Sequence, residues 1–147
     1  MTPARHAPVT GIVFRRLRWP SEHEVADRLL AGVGTTPSAM WRRGQGELFG
    51  LWDLAAPDAG ALVAAAATRP LDAGTVELCG LAVRGGLQRR GLGPRLVSEV
   101  ADALRVDGAA CLVARLDGGE SGAAALLARA GFLPAAGRDA GWCYLEL

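Results

Sequence analysis

The sequence predicts a mixed α/β fold, a central mixed sheet of six to seven strands flanked by about four helices. Three observations predict it. Apolar runs "ELFGLWDLAA", "GALVAAAATRPL" and "TVELCGLAV" are separated by the turn signals "PDAG" and "LDAG", which argues for three successive antiparallel strands. A long amphipathic helix and a buried strand, "AACLVARL", follow the third run, so that run and "AACLVARL" should lie parallel across a helical crossover. At 147 residues the chain has the size of one domain able to bury a core, and we read residues 1–147 as a single domain with a loose leader over 1–10.

Each element has its own signal. "GIVFRRLRW" reads as a first strand ending at Pro20. "SEHEVADRLLAGVG" opens with Ser21 and Glu24 at capping-box spacing, carries Val25, Leu29 and Leu30 on one side and closes on glycine, which predicts a helix. In "TTPSAMWRR", Thr36 as cap and Pro37 at the first helical position predict a short second helix. Ala61 to Ala67 is ambiguous because alanine favours helix, yet its length and flanking turns favour strand. Leu92, Leu96, Val97, Val100, Ala101 and Leu104 recur at helical spacing, with Pro94 in the first turn where a missing N–H costs little. "SGAAALLARAGF" predicts a helix closed by Gly131, and "GWCYLEL" a terminal strand.

Composition excludes several functions. Half of the residues are apolar and the net charge is +1, which argues against general nucleic-acid binding. All sixteen basic residues are arginine. Cys79, Cys111 and Cys143 lie apart inside apolar segments without a Cys-x-x-Cys pair, and we read them as buried free thiols in a reducing, cytoplasmic setting. His6 and His23 lack partners for a zinc site or a Ser/His/Asp arrangement, so no metal is expected. The longest apolar run is far short of the roughly 18–20 residues that a membrane span needs, and the leader does not read as a secretory signal.

The most informative stretch is "VRGGLQRRGLGPRL", Val83 to Leu96, with four glycines, four arginines and no acid. It lies at the carboxyl end of a predicted strand, where α/β sheets bind ligands, and arginines without counter-charges suggest an anion. A dinucleotide fingerprint fails because Leu96 stands where a third small residue is needed; a P-loop fails because Leu92 stands where lysine is needed. Gln88, Gly91 and Gly93 form Gln-x-x-Gly-x-Gly after Leu81, Ala82 and Val83. In this pattern the sequence resembles the GNAT superfamily of acetyl-CoA-dependent N-acetyltransferases. "LAV", a spacer of five residues beginning at Arg84, "RRGLG" and an amphipathic helix match its coenzyme A motif, and "LLARAGF" is similar to its penultimate helix. By element order the resemblance spans Ile12 to Leu147, with specific motifs over Val76 to Leu104.

The resemblance implies a GNAT fold and acetyl-CoA as cosubstrate. The pantetheine arm would lie along Leu81, Ala82 and Val83, and an amide near Val83 would stabilise the oxyanion. The pyrophosphate would meet Gln88 and the amides of Arg89, Arg90, Gly91, Leu92 and Gly93, Pro94 offering none. Backbone N–H groups and the helix dipole favour an anion there. Arg84, Arg89, Arg90 or Arg95 could pair with phosphates.

Acetylating an amine requires its neutral form. A lysine-like amine is neutral in about one molecule in 2,500 at pH 7, a cost of about 4.6 kcal/mol. Glu77 is the carboxylate inside an apolar strand, and desolvation there would raise its pKa toward a useful range for a general base; the alternative is an ordinary solvent-facing glutamate. Some histone acetyltransferases of the superfamily carry their base at the matching position. The family's usual acid, a tyrosine in the penultimate helix, is replaced by Leu127, and an asparagine seven residues earlier by Glu120. Both departures point away from the ribosomal-protein acetyltransferase branch. Tyr144, the single tyrosine, could substitute as general acid from the last strand or be structural. Trp41, Phe49 and Trp52 could line an acceptor pocket or belong to the core.

The reading is an N-acetyltransferase acting directly on a primary amine of a small molecule or peptide, without an acyl-enzyme. A coenzyme A-binding sensor or partner module that has lost catalysis, and a nucleotide-binding domain that prefers NAD or ATP, are the alternatives. No nucleic-acid or membrane partner is expected, and the family resemblance makes a homodimer a possible assembly.

Overall fold

The computed structural model describes residues 11–18, 21–31, 46–55, 61–87, 90–115, 121–137 and 141–147, with the backbone alone for 121–124. Among them, seven strands make one mixed sheet in the order β1-β2-β3-β4-β5-β7-β6. The strands are β1 (Ile12–Arg16), β2 (Glu47–Asp53), β3 (Ala61–Pro70), β4 (Thr75–Val83), β5 (Cys111–Arg115), β6 (Leu133–Pro134) and β7 (Trp142–Glu146). Three helices accompany them: α1 (Ser21–Ala31), α2 (Leu92–Val106) and α3 (Ser121–Arg129). The sequence predicts about four helices; the short second one, expected from Thr36, lies outside the described residues, as does the leader.

The first four strands form an antiparallel meander, and β4 to β5 is the parallel crossover through α2. The alanine run is a strand because both of its faces are covered. Ala65 and Ala67 pack toward α1 while Ala64 and Ala66 pack toward α2, so small side chains let both helices approach the sheet. At the β3–β4 turn, the Asp72 carboxylate accepts the N–H groups of Gly74 (3.0 Å) and Thr75 (2.9 Å), and these bonds lower its pKa.

Two apolar layers sandwich the sheet. Leu92, Leu96, Val97, Val100 and Leu104 of α2, with Leu127 of α3 and Phe132, pack on Phe49, Leu51, Leu78 and Leu112. On the other face, Ala26 and Leu30 of α1 pack on Leu17, Leu48, Leu62 and Ala82. The apolar pattern of α1 differs from the sequence reading. His23, Ala26 and Leu30 are buried, whereas Val25 is 40% exposed and Leu29 half-buried. The acid that reaches back from the first turn is Glu22 rather than Glu24, accepting the Arg18 N–H at 2.7 Å and Arg15 Nη1 at 2.8 Å. Burial pushes the Glu22 carboxyl up, but the Arg18 amide and the Arg15 guanidinium together hold it below its ordinary range.

Candidate active site

The sheet carries a defect that creates a site. β4 runs to Val83 and β5 to Arg115, yet the two pair only over Thr75–Glu77 and Cys111–Val113. Beyond Glu77 the edge of β4 that faces β5 has no strand beside it among the described residues. The Arg84 N–H donates to Val63 O on β3 at 2.8 Å. Peptide groups alternate along a strand, so those of Ala82 also turn to β3 while those of Leu81 and Val83 turn toward the gap. Unpaired strand groups of this kind are a template for an extended ligand.

A bulge sets which side chains face which layer. Ala67 pairs with Gly80 and Thr68 with Leu78, leaving Cys79 as the extra residue. Val76 and Leu78 therefore face α2, Glu77 and Cys79 the opposite side, and beyond the bulge Leu81 and Val83 face α2 while Ala82 faces α1.

At the far end of the gap lies the start of α2. Gly91 caps it at φ 78°, a left-handed conformation in which a side chain is strained. Arg95 N–H bonds to Gly91 O at 3.1 Å and Pro94 has no N–H, while the amides of Leu92 and Gly93 open the first turn without a hydrogen-bond partner among the described residues. No acid lies in that turn to compete for them. Gly93 serves closeness: a Cβ there would stand 2.5 Å from Leu126 Cδ1 and 3.7 Å from Val83 Cγ2. Arg90 is exposed nearby, while Gln88 and Arg89 lie outside the described residues. Arg95 is engaged elsewhere, donating to Ile12 O at 2.9 Å and to Glu99 at 3.4 Å, so it braces α2 against β1.

Glu77 is 5% exposed at the apex of the gap, not a solvent-facing strand glutamate. Its Oε1 accepts Arg69 Nε at 2.7 Å from the neighbouring strand. That hydrogen bond and the attraction of the carboxylate raise the pKa of the guanidinium. Arg69 is the site residue that the sequence reading missed. A hairpin centred on "LDAG" would put Arg69 opposite Val76; the observed register, shifted by one residue, puts it opposite Glu77.

Other candidates separate into core and site. Tyr144 is half-buried and stands in one cross-strand row with Glu77 and Val113, two strands from Glu77, about 10 Å between Cα atoms at ~4.8 Å per strand. Leu127 is buried in the core, so the position to which the sequence resemblance assigns a catalytic tyrosine is packing here. Phe49 is fully buried and stacks on Phe14 at 5.7 Å, which makes it core, whereas Trp52 is half-buried on the α1 face under Arg15. Trp41 and Glu120 lie outside the described residues. Burial pushes the Cys79 thiol up to about 11, with Glu77 adding to the rise, so it remains protonated and a poor nucleophile at neutral pH. Its Sγ contacts Ala67 O at 3.4 Å. Among the described residues no cluster of His, Cys, Asp and Glu could hold a metal ion.

The sequence matches the model of the acetyltransferase (GNAT) family over residues 14–132. The chain belongs to this family. No curated protein matches the chain in sequence. This GNAT domain is similar in fold to a Bacillus subtilis acetyltransferase solved in complex with CoA, with 20% identity, 92% of this chain and 99% of that one covered, and a TM-score of 0.72. It is also similar to a GNAT acetyltransferase from Elizabethkingia anophelis with acetyl-CoA bound (17% identity, 94% and 99% covered, TM-score 0.70). A third is the ribosomal-protein-S18-alanine N-acetyltransferase from Escherichia coli (21% identity, 92% and 93% covered, TM-score 0.68). Among the described residues of this GNAT chain, no helix is long and apolar enough to cross a membrane.

Proposed function

We propose that this protein is an N-acetyltransferase that moves the acetyl group of acetyl-CoA directly to a primary amine of a small molecule or peptide. The observation that carries the proposal is the gap beside β4. Among the described residues, main-chain groups of Leu81 and Val83 face it without a partner strand, and it leads to N–H groups of Leu92 and Gly93 that have no partner there and no acid in their helix turn. The residues fit coenzyme A, a long polyanion with an amide-bearing arm. The pantetheine amides bond Leu81 and Val83, and the pyrophosphate meets Leu92, Gly93 and Arg90.

Acetyl-CoA supplies an acyl carbon activated by a thiolate leaving group. The chain's residues do the rest. A free N–H at Leu81 or Val83 stabilises the oxyanion that forms as the amine nitrogen bonds to that carbon. Glu77 receives the amine proton, through Oε2, directly or by a water; Arg69 holds Oε1 and fixes the carboxylate's orientation. The C–S bond then breaks, and the departing thiolate takes a proton from Tyr144 or from water. Cys79, protonated and hydrogen-bonded, has no covalent part.

The test is a pair of measurements on the intact chain. Acetyl-CoA should raise the melting temperature where NAD and ATP do not, and thiol release should accelerate with members of a panel of primary amines. Equal stabilisation by NAD or ATP overturns the reading. Stabilisation by acetyl-CoA without thiol release on any amine of the panel favours a coenzyme A sensor instead.

A further inference from the structure

Val25 and Leu29 are separated by one helical turn on α1, so they share a face; Val25 is exposed and Leu29, half-buried, touches only the margin of the core. With Arg28, Leu62 of β3 and Arg84 they line a cleft of about 260 Å³. This is close to the lower bound, roughly 300 Å³, of sites that bind small molecules. The cleft lies on the α1 face of the sheet, because Leu62 and Ala82 pack with α1 while Val83 packs toward α2. Arg84 directly follows Val83, and its side chain joins α1 rather than the amides at the start of α2.

Neither Arg28 nor Arg84 forms an ion pair among the described residues. The carboxylates of the same helix, Glu22, Glu24 and Asp27, do not line the cleft. Two guanidiniums flanking three aliphatic side chains are suited to an anion joined to an apolar body, and they repel a polycation.

We infer that this cleft is the acceptor site and that the acceptor is an amine with an apolar body ending in a carboxylate, held by Arg28 and Arg84. The inference rests on the acetyltransferase reading, and it excludes polyamines and aminoglycosides as preferred acceptors. Arg84 follows Leu81 by three residues, about 10 Å along the strand, which sets the span between the carboxylate and an amine beside Leu81; Glu77 lies four residues farther, about 13 Å, and reaches that amine through water. The shared chemistry, an anion on two arginines, could also come from a phosphate of the cofactor, so the experiment separates the two.

The protein, with and without coenzyme A, is titrated calorimetrically with 8-aminooctanoate, its methyl ester and octylamine, and separately with coenzyme A and dephospho-coenzyme A. The acid should bind at least about tenfold more tightly than the ester or the amine, with and without coenzyme A, and more weakly as salt rises. Arg28→Ala and Arg84→Ala should each weaken the acid about tenfold while coenzyme A affinity stays within about twofold. Equal binding of acid and octylamine overturns the inference, as does no binding of the acid. Loss of coenzyme A affinity in both variants, with dephospho-coenzyme A unaffected, assigns the arginines to the cofactor and overturns it too. If acetyl-CoA fails to stabilise the protein while the acid still binds through both arginines, the acetyltransferase reading fails and the anion site stands.

Discussion

Glu77 shows how one residue's role depends on its neighbour. A carboxylate at 5% exposure would be costly alone, and Arg69 on the adjoining strand supplies the counter-charge at 2.7 Å. Glu77→Gln should lower the rate of thiol release at pH 7 by about 10²-fold and remove one ionisation from the pH profile, while acetyl-CoA binding is retained. Arg69→Ala leaves the buried carboxylate without its partner, so it should cost about 1–3 kcal/mol of stability, read from the denaturant midpoint, and shift the ionisation that Glu77→Gln removes. An unchanged pH profile in both variants rejects the base assignment. For Cys79 the sign is fixed by its raised pKa. The neutral thiol is the form that folding favours, so its contribution is intact below the unfolded thiol's pKa and fades as pH rises toward about 11.

At the scale of elements, the start of α2 depends on two glycines for different reasons. Gly91 has open space around a built Cβ but a φ of 78°, whereas Gly93 is crowded by Leu126 Cδ1 at 2.5 Å. Gly91→Ala should therefore cost about 1–2 kcal/mol of backbone strain and weaken acetyl-CoA binding. Gly93→Ala should also weaken both, but a second change, Leu126→Ala, should restore part of the loss to Gly93→Ala and none to Gly91→Ala. Melting temperature and acetyl-CoA affinity of the four variants check this, and equal rescue of both would refute the distinction. α1 has a comparable division: Ala26 and Leu30 hold it to the sheet, while Val25 and Leu29 face a cleft that no other element fills among the described residues.

At the scale of the molecule, the site exists because the sheet stops pairing part-way along β4. The amides of Ala82 and Arg84 are tied to β3, and those of Leu81 and Val83 face the gap. Hydrogen exchange should therefore be faster at Leu81 and Val83 than at Ala82 and Arg84 in the free protein, and acetyl-CoA should slow the first pair selectively. Uniform protection of all four amides before ligand is added would count against an open gap. The gap also separates two faces: the amides of α2 open on one, Glu77 and the Arg28–Arg84 cleft on the other.

The sequence by itself determined most of the architecture. Turn signals at "PDAG" and "LDAG", helical periodicity from Leu92 to Leu104 and the Gln-x-x-Gly-x-Gly spacing are local features, and local features are written in consecutive residues. They were enough for the meander, the crossover, the seven-stranded upper bound and the coenzyme A motif. The tertiary structure alone decided which side chains meet. One extra residue at Cys79 flips the phase of β4, loss of pairing after Glu77 opens the gap, and the seating of α1 leaves Val25 exposed and Leu29 at the margin of the core. Register, phase and helix seating depend on contacts between distant segments, and a period of two or 3.6 read along one strand or helix carries no information about its partner.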